Sequence, residues 1–224
     1  MGKIIIEAKD LVKTYQNGKN RLVVLDNINI QIREKSIISI VGESGAGKST
    51  LLNVLSSLDA FDKGELNIEG NNIKNFSDKQ LCSIRNSSIG FIFQFHHLLP
   101  DFNVRENILM PTWINKDYEK NKKADELLKD FGLKKISHKY PNEISGGEKQ
   151  RVAILRSIIN DPKVLFADEP SGNLDEKNSL KLIDLFESIN TNFDTAIVLT
   201  THNPHIANMG SYKYELKSKT LFER

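Results

Sequence analysis

Apolar positions along this chain form short uninterrupted runs as well as alternating segments. Three runs are apolar almost throughout, a pattern typical of strands buried on both faces of a parallel sheet: residues 37–41, 164–167 and 196–199. The first residues, 3–12, predict a further strand. Residues 23–25 and 28–32 predict two more, separated by the turn-like pair Asp26-Asn27. These segments would supply the sheet structure of the molecule.

Helical periodicity lies between and after these strands. Residues 178–189 carry an apolar stripe at helical spacing, formed by Leu180, Ile183, Leu185 and Phe186. Strands that alternate with helices predict an α/β fold with a parallel sheet. The stretch from about 95 to 160 is richer in charge and in helical signals, with the clearest helices at 120–131 and 147–159. We expect it to form a helical subdomain inserted into the α/β core.

Length and composition narrow the classes of protein. The chain has 224 residues, a formal net charge of +2 and a mean hydropathy of −0.38, which fits one globular domain and gives no reason to expect a nucleic-acid partner. Cys82 is the only cysteine, and with no signal-peptide pattern this favours a reducing cytosol. A spanning helix needs about 20 mostly apolar residues. The apolar runs here are much shorter, so any work at a membrane would go through partners.

A phosphate-binding loop is the strongest local motif. Residues 42–50 read GESGAGKST and match G-x-x-x-x-G-K-[ST], between the buried strand 37–41 and the helix-like segment 51–58. Glycines let the backbone N–H groups turn inward toward phosphates, and the helix N-terminus adds its dipole. Lys48 would reach the β- and γ-phosphates, and Ser49 would bind Mg²⁺. The candidate nucleotide-binding residues are therefore Gly42, Glu43, Ser44, Gly45, Ala46, Gly47, Lys48, Ser49 and Thr50.

An acidic pair follows the second buried strand, in the sequence VLFADEP at 164–170. Asp168 stands where a Walker-B aspartate would orient Mg²⁺. Glu169, next to it, would then polarise a water for attack on the γ-phosphate, as a general base. The alternative is a solvated acidic pair at a strand end. Asp59 and Asp62 lie too close to the helix of the phosphate loop to be better metal candidates.

The segment before this pair reads ISGGEKQR at 144–151. It resembles the LSGGQ signature of ATP-binding cassette (ABC) ATPases, with Ile144 and Glu148 as departures. A serine followed by free N–H groups would open a helix and form a second anion site. The resemblance implies that this signature closes over the ATP held by the phosphate loop of a second, identical protomer. Its nucleotide-binding residues would be Ser145, Gly146 and Gly147.

Other landmarks of the ABC family occur in order along the chain. Tyr15 matches the aromatic residue that stacks on adenine, and Gln94 matches the Q-loop glutamine that contacts metal and water. Asp175, in SGNLD at 171–175, matches the D-loop that crosses the dimer interface, and His202 matches the switch histidine at the γ-phosphate. Taken alone, Tyr15 could be a core or surface tyrosine at a strand end, and His202 could be structural.

The resemblance covers essentially the whole chain and implies a fold as well as a function. The fold would be the α/β fold of the P-loop NTPases, with a RecA-like core, an N-terminal antiparallel β-subdomain and an inserted α-helical subdomain. Residues 3–224 would form a single nucleotide-binding domain, with its core at 3–94 and 161–224 and the helical subdomain at about 95–160. The cofactors would be ATP and Mg²⁺. Glu169, His202 and Gln94 would be catalytic, and Ser49, Gln94 and Asp168 would hold the metal.

A narrower resemblance concerns the run FQFHHLLPDF at 93–102. It is similar to the Q-loop of ATPase subunits that drive lipoprotein release from the inner membrane toward the outer membrane. This implies a peripheral protein on the cytoplasmic face, with integral permease subunits docking near Phe95–Phe102 and no direct contact with the lipoprotein. The alternative is the ATPase of a related macrolide-type efflux pump or cell-division complex, because these share the segment EPSGNLD at 169–175.

Two alternatives concern the residues of this run. Four apolar side chains would form the pocket for a membrane partner, or would be core of the helical subdomain: Phe95, Leu98, Leu99 and Phe102. The adjacent His96 and His97 could suggest a metal site, but neighbouring side chains point differently on most backbones and only Asp101 lies near at ligand spacing.

Function classes outside transport explain less of the sequence. A soluble ABC ATPase acting on DNA or ribosomes would carry a long coiled coil or tandem cassettes, and this chain shows neither feature nor a basic patch. A kinase or GTPase would leave the signature, Asp175 and His202 together without explanation.

Overall fold

The computed structural model describes residues 2–18, 20–172 and 176–224. In these residues the strands are β1 (Ile4–Asn17), β2 (Asn20–Arg33), β3 (Ile37–Val41), β4 (Lys63–Ile68), β5 (Asn71–Asn72), β6 (Ile89–Ile92), β7 (Val164–Asp168), β8 (Ala196–Thr200), β9 (Tyr212–Lys217) and β10 (Thr220–Glu223). The α-helices are α1 (Lys48–Leu55), α2 (Asp78–Ser87), α3 (Val104–Ile114), α4 (Lys120–Asp130), α5 (Gly146–Ile158), α6 (Glu176–Phe193) and α7 (Pro204–Met209).

The central sheet has the strand order β10-β9-β3-β8-β7-β6. Every pairing from β9 to β6 is parallel, and β10 returns antiparallel to β9. The predicted apolar runs are confirmed as its inner strands β3, β7 and β8, which are buried along nearly their whole length. Parallel pairing brings the carboxyl ends of neighbouring strands to one edge, and Asp168 there lies opposite Thr200.

Each inner strand contributes to two separate cores. On β7, Val164 and Phe166 pack into the core that includes α1 and the N-terminal sheet, whereas Leu165 and Ala167 pack into the core that includes α3, α5 and α6. The same alternation holds along β8. Because successive side chains of a strand point to opposite faces, the sheet is covered on both sides.

The N-terminal sheet differs in one respect from the prediction. Its order is β2-β1-β4-β5, with antiparallel pairs throughout. The prediction of two strands separated at Asp26-Asn27 is wrong, because β2 runs through this pair as one strand. The pairing with β1 shifts its register between Leu25 and Ile28, and Asn27 takes a φ of 52°. Asparagine tolerates this left-handed conformation, so the local signal marks an irregularity inside a strand rather than a turn between two.

The helices between β6 and β7 are α3, α4 and α5. The predicted helices at 120–131 and 147–159 are confirmed to within one residue at each end. The α3 helix was not among the expected ones, and it contains Pro111. It begins at Asn103, whose side chain accepts from the N–H of Glu106 while Glu106 accepts from the N–H of Asn103. This capping box supplies the start signal that the internal proline obscures.

The helix of the phosphate loop also begins earlier than the apolar pattern indicated. It runs from Lys48 to Leu55 instead of 51–58, because the carbonyl of Gly47 already accepts the N–H of Leu51. The helix stops before Ser57, which has a φ of 59°. No helix among the described residues has the length and apolar character that crossing a membrane requires.

We predict that Gly90→Ala destabilises the fold. A Cβ at Gly90 on β6 would lie 2.5 Å from the carbonyl oxygen of Ser157 on α5 and 2.9 Å from Cδ1 of Leu165. Relieving this overlap should cost about 1–3 kcal/mol of unfolding free energy, measurable by chemical denaturation. Ser83→Ala, on the exposed side of α2, is the control and should change it by less than about 0.5 kcal/mol. An unchanged stability of Gly90→Ala would show that α5 does not approach β6 this closely.

Candidate active site

The loop between β3 and α1 has the backbone that its glycines predicted. Gly45 and Gly47 have φ values of 78° and 103°, a conformation that side chains disfavour. A Cβ at Gly47 would also lie 2.9 Å from Cγ1 of Val24. The first turn of α1 contains no acidic residue, and its N-terminus has no side-chain cap. Its free N–H groups are therefore available to an anion.

Lys48 lies at the centre of the site. Its side chain is 7% exposed, and Nζ donates to the carbonyl oxygens of Gly42 at 2.9 Å and Glu43 at 3.2 Å. The same atom is 3.0 Å from Nε2 of His202 and 3.7 Å from Oε1 of Glu169. The ends of β3, β7 and β8 therefore meet at one buried amine.

The two acidic residues at the end of β7 have different surroundings. Asp168 accepts a hydrogen bond at Oδ1 from the hydroxyl of Thr200 at 2.7 Å, which fixes the carboxylate against β8. Glu169 has a φ of 44°, a strained conformation for a residue with a side chain. Its N–H donates to the carbonyl oxygen of Thr200 at 3.1 Å. This turn directs the Glu169 side chain away from the strand and toward Lys48.

Glu169 and His202 approach each other at two points, and one of these contacts is a hydrogen bond. The N–H of His202 donates to Oε2 of Glu169 at 3.1 Å, and Nε2 of the ring lies 3.1 Å from Oε1. Nε2 can accept from Lys48 when it carries no proton, whereas Oε1 of Glu169 is buried and has no hydrogen-bond partner among the described residues. The imidazole therefore lies between an amine and a carboxylate.

A cavity of about 820 Å³ adjoins these groups and collects predicted residues from separate segments. Those that line it are Ser44, Gly45, Gly47, Lys48, Ser49, Thr50, Gln94, Glu169 and His202. Gln94 follows β6 and reaches Gly172, where a Cβ would lie 3.4 Å from its Nε2. Such a volume and polar lining suit a nucleotide-sized ligand with phosphates at the loop.

Some predicted loop residues lie outside this lining. Gly42 and Glu43 turn their carbonyls toward Lys48, and Ala46 lies with Glu43 beside a neighbouring depression. Val24 and Asn203 line the cavity and were missed by the sequence reasoning. Val24 had no signal, since it is one strand residue far from the loop in sequence, whereas Asn203 directly follows His202 and its side chain caps α7.

The signature segment forms a capped helix start, as predicted. The Ser145 side chain accepts from the N–H of Glu148, and Oε2 of Glu148 accepts from the N–H and the hydroxyl of Ser145 at 2.7 Å each. These hydrogen bonds lower the pKa of Glu148, so the departure from glutamine supplies an ionised cap. Gly146 and Gly147 border open space.

The structure does not bring this helix start to the phosphate loop of the same chain. Ser145, Gly146 and Gly147 are not among the described residues that line the cavity. Tyr15 also lies outside the lining, and its hydroxyl donates to Oδ2 of Asp59 at 2.7 Å. The prediction for Asp175 falls on residues 173–175, outside the described part of the chain.

The segment after Gln94 is held by α5. Arg156 donates from Nη1 to the carbonyl oxygen of His97 and from Nη2 to that of His96, at 2.7 Å each. Burial, and then the charge of Lys149, lower the pKa of His96, which favours the neutral ring. Among the described residues no group of three or more His, Cys, Asp or Glu side chains could hold a metal.

Comparisons with known proteins agree with this geometry. A family model described as "ABC transporter" matches residues 25–172. The chain is 44% identical to the lipoprotein-releasing system ATP-binding protein LolD of Wigglesworthia glossinidia brevipalpis, over 99% of this chain and 97% of the relative. It is 46% identical to the protein of the same name from Cytophaga hutchinsonii, over 97% and 98%.

Solved structures show the same fold. The dimeric structure of MJ0796, a bacterial ABC transporter cassette, superposes with a TM-score of 0.90 at 35% identity, covering 98% of this chain and 97% of that one. A dimeric post-hydrolysis state of MJ0796 bound to ADP and Pi gives 0.89 at 34% identity, with the same coverage. The predicted α/β cassette fold, with an antiparallel sheet and a helical part, is thus confirmed. The chain belongs to the ABC transporter family and is one of its ATPase cassettes.

Proposed function

We propose that this chain is the ATP-hydrolysing subunit of a transporter that releases lipoproteins from the inner membrane. One observation carries the enzymatic part: Lys48 and His202 lie 3.0 Å apart, each beside the carboxylate of Glu169. The names of the full-length relatives, lipoprotein-releasing system ATP-binding proteins, support the transport part. In this proposal residues 3–224 form one nucleotide-binding domain, with core 3–94 and 161–224 and the helical subdomain at about 95–160.

Lys48 and the loop N–H groups bind the phosphates of ATP. The amine is already desolvated at 7% exposure, so its attraction for a phosphate oxygen is weakly screened. The hydroxyl of Ser49, the carboxylate of Asp168 and the amide oxygen of Gln94 are hard oxygen donors of the kind that Mg²⁺ prefers. Oδ2 of Asp168 has no hydrogen-bond partner within the described residues, which leaves it for this role. When bound there, Mg²⁺ would neutralise charge that develops on the phosphates.

Glu169 orients and polarises the attacking water. Its oxygens face the amine that binds the γ-phosphate, so a water held by this carboxylate would lie next to the atom that it attacks. His202 holds the carboxylate through its N–H, and Nε2 of its ring lies 3.1 Å from the other carboxylate oxygen. The histidine therefore acts both by orienting Glu169 and by contacting the γ-phosphate.

A homodimer completes the site. Ser145, Gly146 and Gly147 start a helix and are not among the described residues that line the cavity of their own chain. The N–H groups of Gly146 and Gly147 would therefore bind a nucleotide held by another protomer. The solved cassettes of the same fold are dimeric. In the proposed complex, two ATP molecules lie between the loop of one protomer and the signature of the other, and Asp175 lies at the interface.

A groove beside the Q-loop is the proposed docking surface for the permease. Its volume is about 500 Å³ and its lining is largely apolar, including Leu58, Phe91, Phe93, Leu99, Met110 and Ile114. Residues of the predicted segment Phe95–Phe102 differ in their position relative to this groove. Leu99 lines the groove, whereas Leu98 packs on the helical core and Phe102 contacts Trp113. An apolar helix end of the membrane subunit would fit such a groove.

This arrangement separates the pore from the motor. The chain would be held at the cytoplasmic face of the inner membrane by its permease partners, and it would make no contact with the lipoprotein. Binding of ATP would bring the protomers together, and hydrolysis would let them part, so that the groove transmits the movement to the membrane subunits.

Lys48→Ala tests the phosphate assignment. Loss of the buried amine should weaken ATP binding about ten- to a hundredfold, because charge-assisted hydrogen bonds to phosphate are removed. Titration calorimetry would measure it, with Lys63→Ala on an exposed position of β4 as the control. Wild-type affinity in Lys48→Ala would remove the loop from nucleotide binding.

Glu169→Gln tests the proposed base. The amide keeps the size of the side chain but cannot accept a proton from water, so steady-state hydrolysis should fall about 10²–10⁴-fold while ATP binding persists. The ATP-bound dimer should then accumulate in size-exclusion chromatography. Glu187→Gln, exposed on α6, removes the same charge and should turn over normally. Ordinary turnover by Glu169→Gln would assign the base elsewhere.

Leu99→Ser tests the docking groove. The polar hydroxyl replaces an apolar contact worth about 1–3 kcal/mol when buried, so the variant should co-purify poorly with its permease subunits from solubilised membranes. Its basal ATPase activity should stay near the wild-type rate. Phe222→Ser, on the exposed strand β10, is the matched control. Equal recovery of permease by both variants would disprove docking at Leu99.

A further inference from the structure

The ring of Tyr15 is held by groups that the site described above does not use. It lies near the end of β1 and is 39% exposed. Its hydroxyl donates to Oδ2 of Asp59 at 2.7 Å. Burial and this bond raise the pKa of Tyr15, and an interaction with the side chain of Thr50 acts in the opposite direction. The ring therefore lies next to the phosphate loop, with its hydroxyl committed to a carboxylate.

Lys13 completes the support from the other carboxylate oxygen. Its Nζ donates to Oδ1 of Asp59 and to the carbonyl oxygen of Ala60, at 2.7 Å each, and Lys13 is only 8% exposed. The same atom lies 4.7 Å from the centroid of the Tyr15 ring, within the range of a cation–π contact. One face of the ring is thus covered by the amine, and the exposed surface of the ring is left to a ligand.

The loop after α1 sets this arrangement. Asp62 accepts from the N–H and the hydroxyl of Thr14 at 2.6 and 2.8 Å, and its own N–H donates to the carbonyl oxygen of Val12. Asp59 and Asp62 therefore accept hydrogen bonds from three successive residues near the end of β1, 13–15. The α1 helix begins at the phosphate loop, and the segment that follows it carries Asp59 and Asp62. This part of the chain therefore sets the position of the Tyr15 ring relative to the phosphate site.

We propose that Asp59 and Lys13 are positioning residues that hold the Tyr15 ring as a stacking platform for the base of a bound nucleoside triphosphate. The inference rests on the proposed function, since it needs a nucleotide at the phosphate loop. The ring presents its π-face to the base while its hydroxyl is occupied by Asp59. Tyr15 is then a surface residue with a restrained ring, and not a core tyrosine.

The restraint holds across the neutral pH range. Burial alone would raise the pKa of Asp59, but the hydrogen bonds from Lys13 and Tyr15 outweigh it, and the pKa lies below its ordinary value. The raised pKa of Tyr15 keeps the phenol protonated as a donor. A ring fixed before the ligand arrives loses little rotamer freedom on binding, which favours affinity.

The experiment compares two ligands on the full chain by titration calorimetry: ATP, and inorganic tripolyphosphate, which has no base. Tyr15→Ala should weaken ATP binding about ten- to a hundredfold, the usual loss of a base–aromatic stack. Asp59→Ala and Tyr15→Phe should each weaken it about three- to tenfold, the loss of one or two hydrogen bonds. Tripolyphosphate affinity should stay at the wild-type value in all three variants. In hydrolysis assays KM for ATP should rise while kcat at saturation is retained.

Two further variants make the test specific. Tyr15→Phe keeps the ion pair of Lys13 and Asp59. It therefore removes the hydrogen bond from Tyr15 to Asp59 without leaving the buried amine of Lys13 unpaired. In that background, adding Asp59→Ala should have a smaller effect on ATP affinity than it has in the wild type, as expected of two groups that act on each other. Glu65→Gln, exposed on β4, removes one negative charge outside this cluster and should bind both ligands normally.

The possible results separate this inference from the proposed function. Equal weakening of ATP and tripolyphosphate by Asp59→Ala and Tyr15→Phe would show that they support the phosphate loop, which overturns the inference. Wild-type ATP affinity in Asp59→Ala and Tyr15→Phe, with weaker ATP binding only in Tyr15→Ala, would also overturn the inference. The proposed function would then still stand. Unchanged ATP affinity in Tyr15→Ala would overturn the platform itself. No binding of either ligand by the wild type would overturn the proposed function.

Discussion

The parallel register between β7 and β8 is the constraint on which the site depends. It sets Asp168 opposite Thr200, and the Thr200 hydroxyl then holds the carboxylate at 2.7 Å. Glu169 leaves the strand with a φ of 44°, and its N–H is fixed by the carbonyl of Thr200. A shift of one residue would exchange the two faces of β7 between the two cores. Packing on both sides of the sheet thus sets the position of the carboxylate proposed as the general base.

The sequence predicted the parts of the fold that rest on short-range patterns. The inner strands are uniformly apolar, and the phosphate loop combines a strand, glycines and a helix start. Both features could therefore be predicted from the sequence. The prediction of a strand break at Asp26-Asn27 was wrong because a left-handed asparagine can occur in an irregular strand as well as in a turn. The α3 helix was missed because Pro111 usually ends a helix, whereas here the capping box at Asn103 sustains it.

Long-range contacts explain what the sequence could not supply about the site. The motifs named Lys48, Glu169 and His202, but their meeting at one amine follows only from strand order. Val24 enters the cavity from the other sheet with no local signal. The apolar residues after Gln94 looked alike in sequence, yet Leu98 belongs to the core and Leu99 to the groove. Spatial neighbours decide between such roles, and spacing along the chain does not encode them.

The two hydrogen bonds from Arg156 to the backbone of His96 and His97 tie α5 to the segment after Gln94. This helix starts after Ser145 and carries Arg156 about 16 Å further along its axis, at 1.5 Å per residue. A helix of this length behaves as a stiff rod. A partner docked in the proposed groove at one end of α5 would therefore act on the same rigid helix that carries Ser145 at its other end.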